Sequence, residues 1–490
     1  MTARPTDAAT DAATTLAVGG ERQVPIPDAI ARDYILLGLR LDQHIPGLVD
    51  AYFGPADLKA QVDMEQLRPP ARLADEADAL LARLPSDVAD AQRRDWVAAQ
   101  LVALRTHASG LAGGELPYLD QVTQSFAWTP ARRDDAIFDA AAAELDDLLP
   151  GREPLADRLA AWDARFEIAV DRLPDVVEWL VDRFRSTAAN LFGLPTGEDL
   201  RVRLVTDQPW SGYNWYDGGL RSRVDINTDL PVRAADLVDT IAHEAYPGHH
   251  LEHAWKEADL VARQRRLEAS IVFLNTPECL ISEGLAVLGV EFAAPPAETV
   301  DILVEVFERA GLPIAADLEE AREAAERTVA MVGLRRRLAE SRVNAALIRH
   351  ADGASHDETL AYIQRVGRYP PRLAQKIVEF IEQPLSRTYI FVYHEGEALL
   401  RRWLEVVPAE ERPARFGRLL HEQLTPSAVV AELAAADSTP TAADVAPPAA
   451  PAGPSAGPWS RSGDDQRVDR TPPDGESSST APSDRPAAGA

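Results

Sequence analysis

Apolar residues recur at helical spacing through most of the chain. Between residues 27 and 195 they form segments such as AIARDYILLGLRLDQHIPGLVDAYF and DDAIFDAAAAELDDLLP, which Pro and Gly residues separate. Residues 232 to 435 continue the pattern in segments that include TPECLISEGLAVLGVEF and SRTYIFVYHEGEALLRRWLEV. The sequence therefore predicts a mainly α fold, with one helical lobe over residues 25–195 and a second lobe over residues 196–435.

The pattern changes near residue 200, where alternating apolar and polar positions replace the helical period. The segments RVRLVTD and RSRVDINTD alternate as strands do, and the aromatic segment SGYNWYDGG between them is typical of a turn. We therefore predict a small antiparallel sheet with an exposed edge strand at 222–228, immediately before the helix that contains VRAADLVDTIAHE.

Both ends of the chain are low in complexity. Residues 1–24 are rich in Ala, Thr and Asp, and residues 436–490 are rich in Pro, Ala and Ser. Such segments bury too little apolar surface to offset the entropy lost on ordering. We predict that both are disordered and that the working protein lies between them.

Charge and composition argue against several classes of function. A formal net charge of -28 repels a phosphate backbone, so we expect no nucleic-acid partner. No uninterrupted apolar run reaches the roughly 18 residues of a membrane span, and the first residues lack the features of a secretory signal. A cytoplasmic location is predicted. The single cysteine, Cys279, excludes an internal disulfide and a multi-cysteine metal site.

The stretch TIAHEAYPGHHLEH, residues 240–253, holds four of the ten histidines. A catalytic zinc ion keeps three protein ligands and one position for water, and the helical motif H-E-x-x-H supplies two of those ligands with Glu as general base. His243 and Glu244 match the start of this motif. Pro247, which cannot bind a metal, stands where the second histidine is expected.

Pro247 predicts a local break in the helix, because proline lacks an N–H and clashes with the carbonyl group four residues earlier. A turn widened by two residues would bring His249 to the place of an ordinary i+4 ligand, and Gly248 leaves room for the backbone to do so. His249 is thus the preferred second ligand. His250, at i+7, is the alternative.

Glu283 is the candidate third ligand, because it is the only charged residue in the apolar run from Cys279 to Val290. A buried carboxylate is costly unless it is paired, and a metal ion is a strong partner. A salt bridge to an arginine is the alternative interpretation, and Glu278 and Glu291 at the ends of the run are weaker candidates. Ligand type predicts Zn²⁺ with Glu244 as the base that activates its bound water.

The motifs HEAYPGHH, ISEGLAVLG, DINTD and RTYIFVYHEG together make residues 200 to 400 similar to a bacterial family catalogued as domain of unknown function 885. That family resembles the helical zinc peptidases of the thimet oligopeptidase and carboxypeptidase Taq kind, which are gluzincins. The resemblance implies a large multi-helical zincin-like fold with a deep cleft. It also implies zinc at His243, His249 and Glu283, with Glu244 as base.

The resemblance adds candidates beyond the metal ligands. In such peptidases a phenol or imidazole commonly stabilises the oxyanion of the tetrahedral intermediate. Leu285 stands where the family usually has Trp, which bears on the pocket wall and the substrate class. The candidates for the oxyanion are Tyr393, His394 and Tyr389, in that order, and those for substrate contact are Tyr213, Asn214 and Tyr216. The alternative role is core packing for the oxyanion candidates and a simple structural turn for the candidates for substrate contact.

Three functions compete at this point. The leading prediction is a zinc-dependent metallopeptidase that hydrolyses short peptides. We expect it to have no nucleic-acid partner and no membrane partner. The second keeps the metal and replaces the peptide with another amide or an ester. The third is a non-catalytic helical scaffold that holds a structural metal, although such a site has no need of a base beside its first ligand.

Overall fold

The computed structural model describes residues 28–208 and 210–437, and the predicted mainly α fold is confirmed. Eight helices precede the strand region: α1 (Ala29–Asp42), α2 (Ala56–Met64), α3 (Pro70–Asp87), α4 (Ala91–Leu111), α5 (Tyr118–Phe126), α6 (Asp135–Leu148), α7 (Leu155–Ala164) and α8 (Leu173–Phe192). The later helices are α9 (Ala234–Glu244), α10 (His249–Lys256), α11 (Pro277–Ala293), α12 (Pro296–Arg309), α13 (Leu318–Ala339), α14 (Ser341–His350), α15 (His356–Val366), α16 (Pro371–Glu382), α17 (Ser386–Tyr389), α18 (Val392–Glu405), α19 (Arg412–His421) and α20 (Pro426–Asp437).

Short polar side chains fix where several of these helices begin. An N-terminal side-chain oxygen accepts a hydrogen bond from a backbone N–H of the first turn, which has no partner within the helix. Ser355 and Glu358 form a reciprocal capping box at the start of α15. Aspartates cap four other helices at positions 28, 90, 134 and 317.

The strands form three small sheets. They are β1 (Val49–Tyr52), β2 (Glu167–Ile168), β3 (Asp199–Val205), β4 (Gly212–Tyr216), β5 (Arg221–Asn227), β6 (Val232–Arg233) and β7 (Ile271–Phe273). β1 pairs with β7 and β2 pairs with β6, both antiparallel. The third sheet has the order β3-β5-β4, in which β5 is parallel to β3 and antiparallel to β4.

This order corrects three predictions about the strand region. The segments RVRLVTD and RSRVDINTD, predicted to belong to an antiparallel sheet, form the parallel neighbours β3 and β5. The segment SGYNWYDGG contributes strand β4 and is more than a turn, and the strand predicted at 222–228 is the central strand β5 rather than an exposed edge. Alternation along a sequence indicates that a segment is a strand and which residues share a face. It carries no information about which strands become neighbours. In the structure, the edge strand that contacts α9 is β4.

The buried core does not divide at residue 195. The largest hydrophobic cluster contains residues from Tyr118 to Leu433, and a second cluster joins α1 and α4 to residues between Leu260 and Phe273. Both predicted lobes therefore contribute to both clusters. The termini predicted to be disordered lie outside the described residues, except that Ala436 and Asp437 end α20.

No single helix among residues 28–437, Pro209 aside, is both long enough and apolar enough to cross a membrane. The bent pair of α11 and α12 meets that criterion only when the two helices are taken together across an 80° bend. The α11 residues from Pro277 to Ala286 are buried within the protein.

Two glycines let α11 and α18 cross in close contact. A Cβ atom built on Gly284 would lie 2.5 Å from the carbonyl carbon of Gly396, and one built on Gly396 would lie 2.3 Å from the carbonyl oxygen of Leu280. Such distances leave no space for any side chain at the crossing. The close approach places Glu283, next to Gly284, beside the residues that begin α18.

Gly284→Ala is expected to destabilise the protein by about 1–3 kcal/mol, because the added methyl group forces the two backbones apart. The matched control is Gly333→Ala in α13, where an added Cβ has nothing within 4 Å. Alanine there should stabilise the helix by roughly 0.5–1 kcal/mol. Urea unfolding of both variants measures the difference, and a neutral Gly284→Ala would contradict the packing described for the crossing.

Candidate metal centre

The backbone between α9 and α10 forms a turn that is wider than an α-helical turn. α9 ends at Glu244 and α10 begins at His249. The N–H of Gly248 donates to the carbonyl of Ala242 at 3.0 Å, and the N–H of Leu251 donates to the carbonyl of Ala245 at 3.3 Å. Each bond spans six residues, two more than an α-helical bond. The widened turn predicted from Pro247 is therefore present.

Gly248 is required in this turn because the backbone passes too close to itself for a side chain. A Cβ atom built on Gly248 would lie 1.7 Å from the carbonyl oxygen of His243. The close approach compensates for the residues added between α9 and α10. As a result, His249 returns to the side of the turn that carries His243.

Three side chains converge at this turn. One ligand atom from each of His243, His249 and Glu283 lies within 4.8 Å of the others. His243 Nε2 is 3.4 Å from Glu283 Oε2, and His249 Nε2 is 3.6 Å from Glu283 Oε1. The two imidazole rings are nearly perpendicular, with centroids 4.8 Å apart. The three predicted ligands thus surround one point, with α9, α10 and α11 each contributing one.

His250 does not join this group, which corrects the prediction of His250 as the alternative second ligand. Its side chain is fully buried on another side of α10. Nδ1 lies 2.8 Å from Ser222 Oγ, and Nε2 lies 2.9 Å from Glu198 Oε2, which also accepts a hydrogen bond from Tyr246. Successive helical residues point about 100° apart, so when His249 faces the other two ligands, His250 faces this core network instead.

The residues present fit a zinc ion. Glu283 is only 7% exposed, and its Oε2 atom is buried with no hydrogen-bond partner among the described residues. A buried carboxylate oxygen without a hydrogen bond is costly, and a cation between Oε2 and the two imidazoles removes that cost. Two imidazole nitrogens and one carboxylate oxygen form the donor set of the His₂Glu zinc enzymes.

A buried network behind His249 orients its ring. Ser282 Oγ lies 3.3 Å from His249 Nδ1 and donates to Glu252 Oε2 at 2.5 Å. Lys256 donates to both Glu252, at 2.6 Å, and Glu278, at 2.9 Å. A polar partner on the second ring nitrogen is what a metal-binding histidine requires. Sequence reasoning missed this network, although the spacing of His249, Glu252 and Lys256 on one helix was a signal for it.

The charges around His249 favour its protonated form when no cation is bound. Burial lowers the pKa of His249, but the hydrogen bond to Glu252 and the negative charges of Glu283 and Glu244 outweigh burial and raise the pKa to about 10. The same negative field would attract a metal cation to this point. The centre is therefore electrostatically prepared for positive charge.

Glu244 lies beside the ligands, at the end of α9. Burial raises the pKa of its carboxyl group; the charges of His243 and His249 oppose the shift, and Glu283 adds to it. Asn214 Nδ2 donates to the backbone carbonyl of Glu244 at 2.7 Å, which connects β4 to the end of α9. Glu244 is thus a carboxylate with raised proton affinity that faces the centre.

The oxyanion candidates separate into two groups. Tyr389 and Tyr393 line the cavity, with ring centroids 5.5 Å apart, although a break after α17 places them on different helices. Tyr389 donates to Glu283 Oε1 at 2.5 Å. His394 does not line the cavity, which corrects its place among the candidates. Burial, followed by the positive charges of three arginines, lowers the pKa of His394 to about 3.

Two of the three predicted substrate contacts line the cavity, and the third does not. Tyr213 and Asn214 line the cavity, and Tyr213 donates to Asp50. Tyr216 is buried and donates to Glu257 Oε2 at 2.6 Å, away from the cavity. Its assignment to the substrate site is therefore wrong, because the pattern placed the aromatic segment as a whole and did not resolve which residues of β4 face the centre.

A cavity of about 230 Å³ opens onto the metal centre. Its lining includes the apolar side chains of Val272, Leu274, Phe380 and Leu385 together with the residues of the centre. Sequence reasoning missed four polar lining residues. These residues are Asp50, His253, Ser282 and Ser386.

Comparisons with known proteins identify a distantly similar structure. No family model and no curated protein matches the chain. The crystal structure of the "putative lipoprotein" from Colwellia psychrerythraea is similar to it, with 12% sequence identity and a TM-score of 0.43. The similarity covers 85% of the present chain and 78% of that chain. At this identity and TM-score it carries no conclusion about activity, so the function has to be argued from the site.

Proposed function

We propose that the protein is a zinc-dependent peptidase that hydrolyses short peptides. The convergence of His243, His249 and Glu283 within 4.8 Å carries the proposal, together with Glu244 beside them. A structural zinc site closes its coordination shell with a fourth protein ligand, whereas a catalytic site leaves one position to water. The three-ligand group and the adjacent carboxylate favour catalysis over a structural scaffold.

A zinc ion held by these three residues would lower the pKa of a bound water and polarise a carbonyl group. The same residues carry the resemblance to the family of domain of unknown function 885 and the gluzincin peptidases. His243 and Glu244 stand in the first half of HEAYPGHH, and Glu283 stands in ISEGLAVLG. The resemblance and the geometry thus point to the same ligands.

Glu244 is the proposed general base. Its carboxylate accepts a proton as water attacks the scissile carbonyl carbon, and it then delivers that proton to the leaving amine. The raised pKa of Glu244 suits both steps, because a stronger base takes the proton more readily and an acid of intermediate strength returns it. Asn214 holds the end of α9 in place through the Glu244 carbonyl.

Tyr393 is the proposed donor to the oxyanion of the tetrahedral intermediate. Its phenol lines the cavity, and its ring centroid lies 6.5 Å from that of His243. Tyr389 is the weaker candidate, because its hydroxyl group already donates to Glu283. We assign to Tyr389 the role of orienting the carboxylate of Glu283, and to Tyr393 the role of stabilising the transition state by donating to the oxyanion.

The form of the cavity supports a short peptide as the substrate. Its volume of about 230 Å³ lies below the roughly 300–1,000 Å³ typical of sites for drug-sized ligands. β4 is an edge strand of its sheet and lines the cavity at Gly212, Tyr213 and Asn214. An edge strand can pair with an extended peptide through backbone hydrogen bonds.

Metal analysis and chelation test this proposal. The purified protein is expected to contain about one zinc ion per chain, as a three-ligand catalytic site would. A chelator should abolish hydrolysis of a mixed library of short peptides, and added Zn²⁺ should restore it. The same assay with N-acyl amino acids and esters distinguishes a peptidase from another zinc hydrolase. Peptide hydrolysis that survives metal removal, or zinc binding with no hydrolysis of any substrate, would contradict the proposal.

A further inference from the structure

Asp50 brings a third carboxylate to the cavity, from a distant part of the chain. It lies on β1, whose pairing with β7 is irregular at this point: Val49 faces Phe273, and Ala51 faces Val272. Asp50 is therefore the extra residue of a β-bulge. Bulges commonly redirect a side chain next to an active site. Here the bulged residue lines the cavity beside Tyr213.

No lysine or arginine among the described residues pairs with the carboxylate of Asp50, and the positive charge that acts on it is that of His249. Its hydrogen bond comes from the neutral phenol of Tyr213, and a zinc ion bound by His249 would replace the proton that gives that imidazole its charge. Asp50 is also not part of the group of ligand atoms formed by His243, His249 and Glu283. Asp50 is half-buried, and a carboxylate removed from water in part is stabilised when a ligand supplies a positive charge beside it.

Among the described residues, the lining of the whole cavity also lacks the side chains of lysine and arginine. Its described lining contains the carboxylates of Asp50, Glu244 and Glu283 and contains no lysine or arginine. A divalent ion at the centre would balance two of the three negative charges and leave Asp50. Burial raises the pKa of Asp50 to about 6 despite the hydrogen bond from Tyr213 and the charge of His249, and Glu283 and Glu244 add to the shift.

We propose that Asp50 binds the free α-amino group of a peptide substrate, so that cleavage occurs close to the amino terminus. An ammonium group supplies the cation that Asp50 lacks. The carboxyl terminus of a peptide would find no lysine or arginine in the described lining to receive it. The apolar lining residues, which include Val272, Phe380 and Leu385, then contact the first side chain of the peptide. This inference rests on the proposed peptidase function and names its substrate class.

Binding of two small probes tests the inference separately from catalysis. Calorimetry on the zinc-loaded wild-type protein compares L-leucinamide, which has a free amine, with N-acetyl-L-leucinamide, which has none. A charge-assisted hydrogen bond to Asp50 should make leucinamide bind roughly 10- to 100-fold more tightly. Equal affinities for the two probes in the wild-type protein would overturn the inference without the need for any variant.

The variant Asp50→Asn should weaken leucinamide binding by roughly 10- to 100-fold and leave N-acetyl-L-leucinamide unchanged. Asp63→Asn is the matched control, since Asp63 is an exposed α2 residue that pairs only with Lys59 among the described ion pairs. Equal weakening of both probes in Asp50→Asn would indicate a structural role and overturn the inference.

Hydrolysis by the wild-type protein separates the two proposals. Leucyl peptides with a free amino terminus should be cleaved, and their N-acetylated counterparts should be cleaved at least about 10-fold more slowly. Cleavage of both at the same rate would support the peptidase and overturn the role of Asp50. Amine-selective binding without hydrolysis would support the role of Asp50 and overturn the peptidase.

Discussion

Glu244→Gln is expected to lower kcat for peptide hydrolysis by about 10²- to 10⁴-fold, the range that a positioned general base contributes. The amide has nearly the same size as the carboxylate, so the packing of this side chain against Gly212 is retained. It cannot accept the proton, however. Because Glu244 is not among the three ligand atoms that converge, the zinc content measured by atomic absorption should stay at the wild-type value.

Asp239→Asn on the same helix is the matched control for this variant. Asp239 is an exposed residue that pairs with Arg336 on the surface, away from the cavity lining. Its loss should change stability by less than roughly 1 kcal/mol and leave kcat unchanged. A Glu244→Gln protein that keeps zinc and retains wild-type kcat would eliminate the proposed base, and with it the catalytic interpretation of the centre.

The parts of the site that were predictable from sequence depend on local geometry. Pro247 and Gly248 dictate how far the turn must open, so counting residues through it selects His249 over His250. Glu283 was identifiable because one charge in a long apolar run has to be compensated when the run is buried. Both arguments involve residues within a single turn or a single helix, where the sequence fixes the spatial relation.

The parts that were missed depend on contacts between distant segments. Asp50 precedes its partner Tyr213 by 163 positions, and no local pattern marks it as a polar residue of the cavity. The strand order β3-β5-β4 likewise depends on how the segments pack, because alternation does not choose neighbours. Tyr216 belongs to the predicted aromatic segment and His394 offers an imidazole next to Tyr393, yet neither residue lines the cavity, because the position of a residue in the chain does not fix which way its side chain points.

Glu283→Gln is expected to weaken zinc binding by more than about 100-fold, since even outer partners of a metal ligand contribute 10- to 100-fold. Glutamine keeps the size of the side chain and an oxygen that can still accept the hydrogen bond from Tyr389. It removes the negative charge that would balance the ion. Titration of the apoprotein with Zn²⁺ against a competing chelator measures the change.

Thermal unfolding provides a second test of the same variant, with Glu291→Gln on the same helix as the control. Zinc that binds only the folded state adds about 2.7 kcal/mol to the stability of the wild-type protein at 100 times its Kd. Glu291 pairs with Arg401 on a partly exposed face and does not belong to the converging group, so Glu291→Gln should retain this stabilisation. Glu283→Gln should lose it. If the two variants respond to zinc alike, Glu283 is not a ligand, and the centre between α9, α10 and α11 does not bind the ion as proposed.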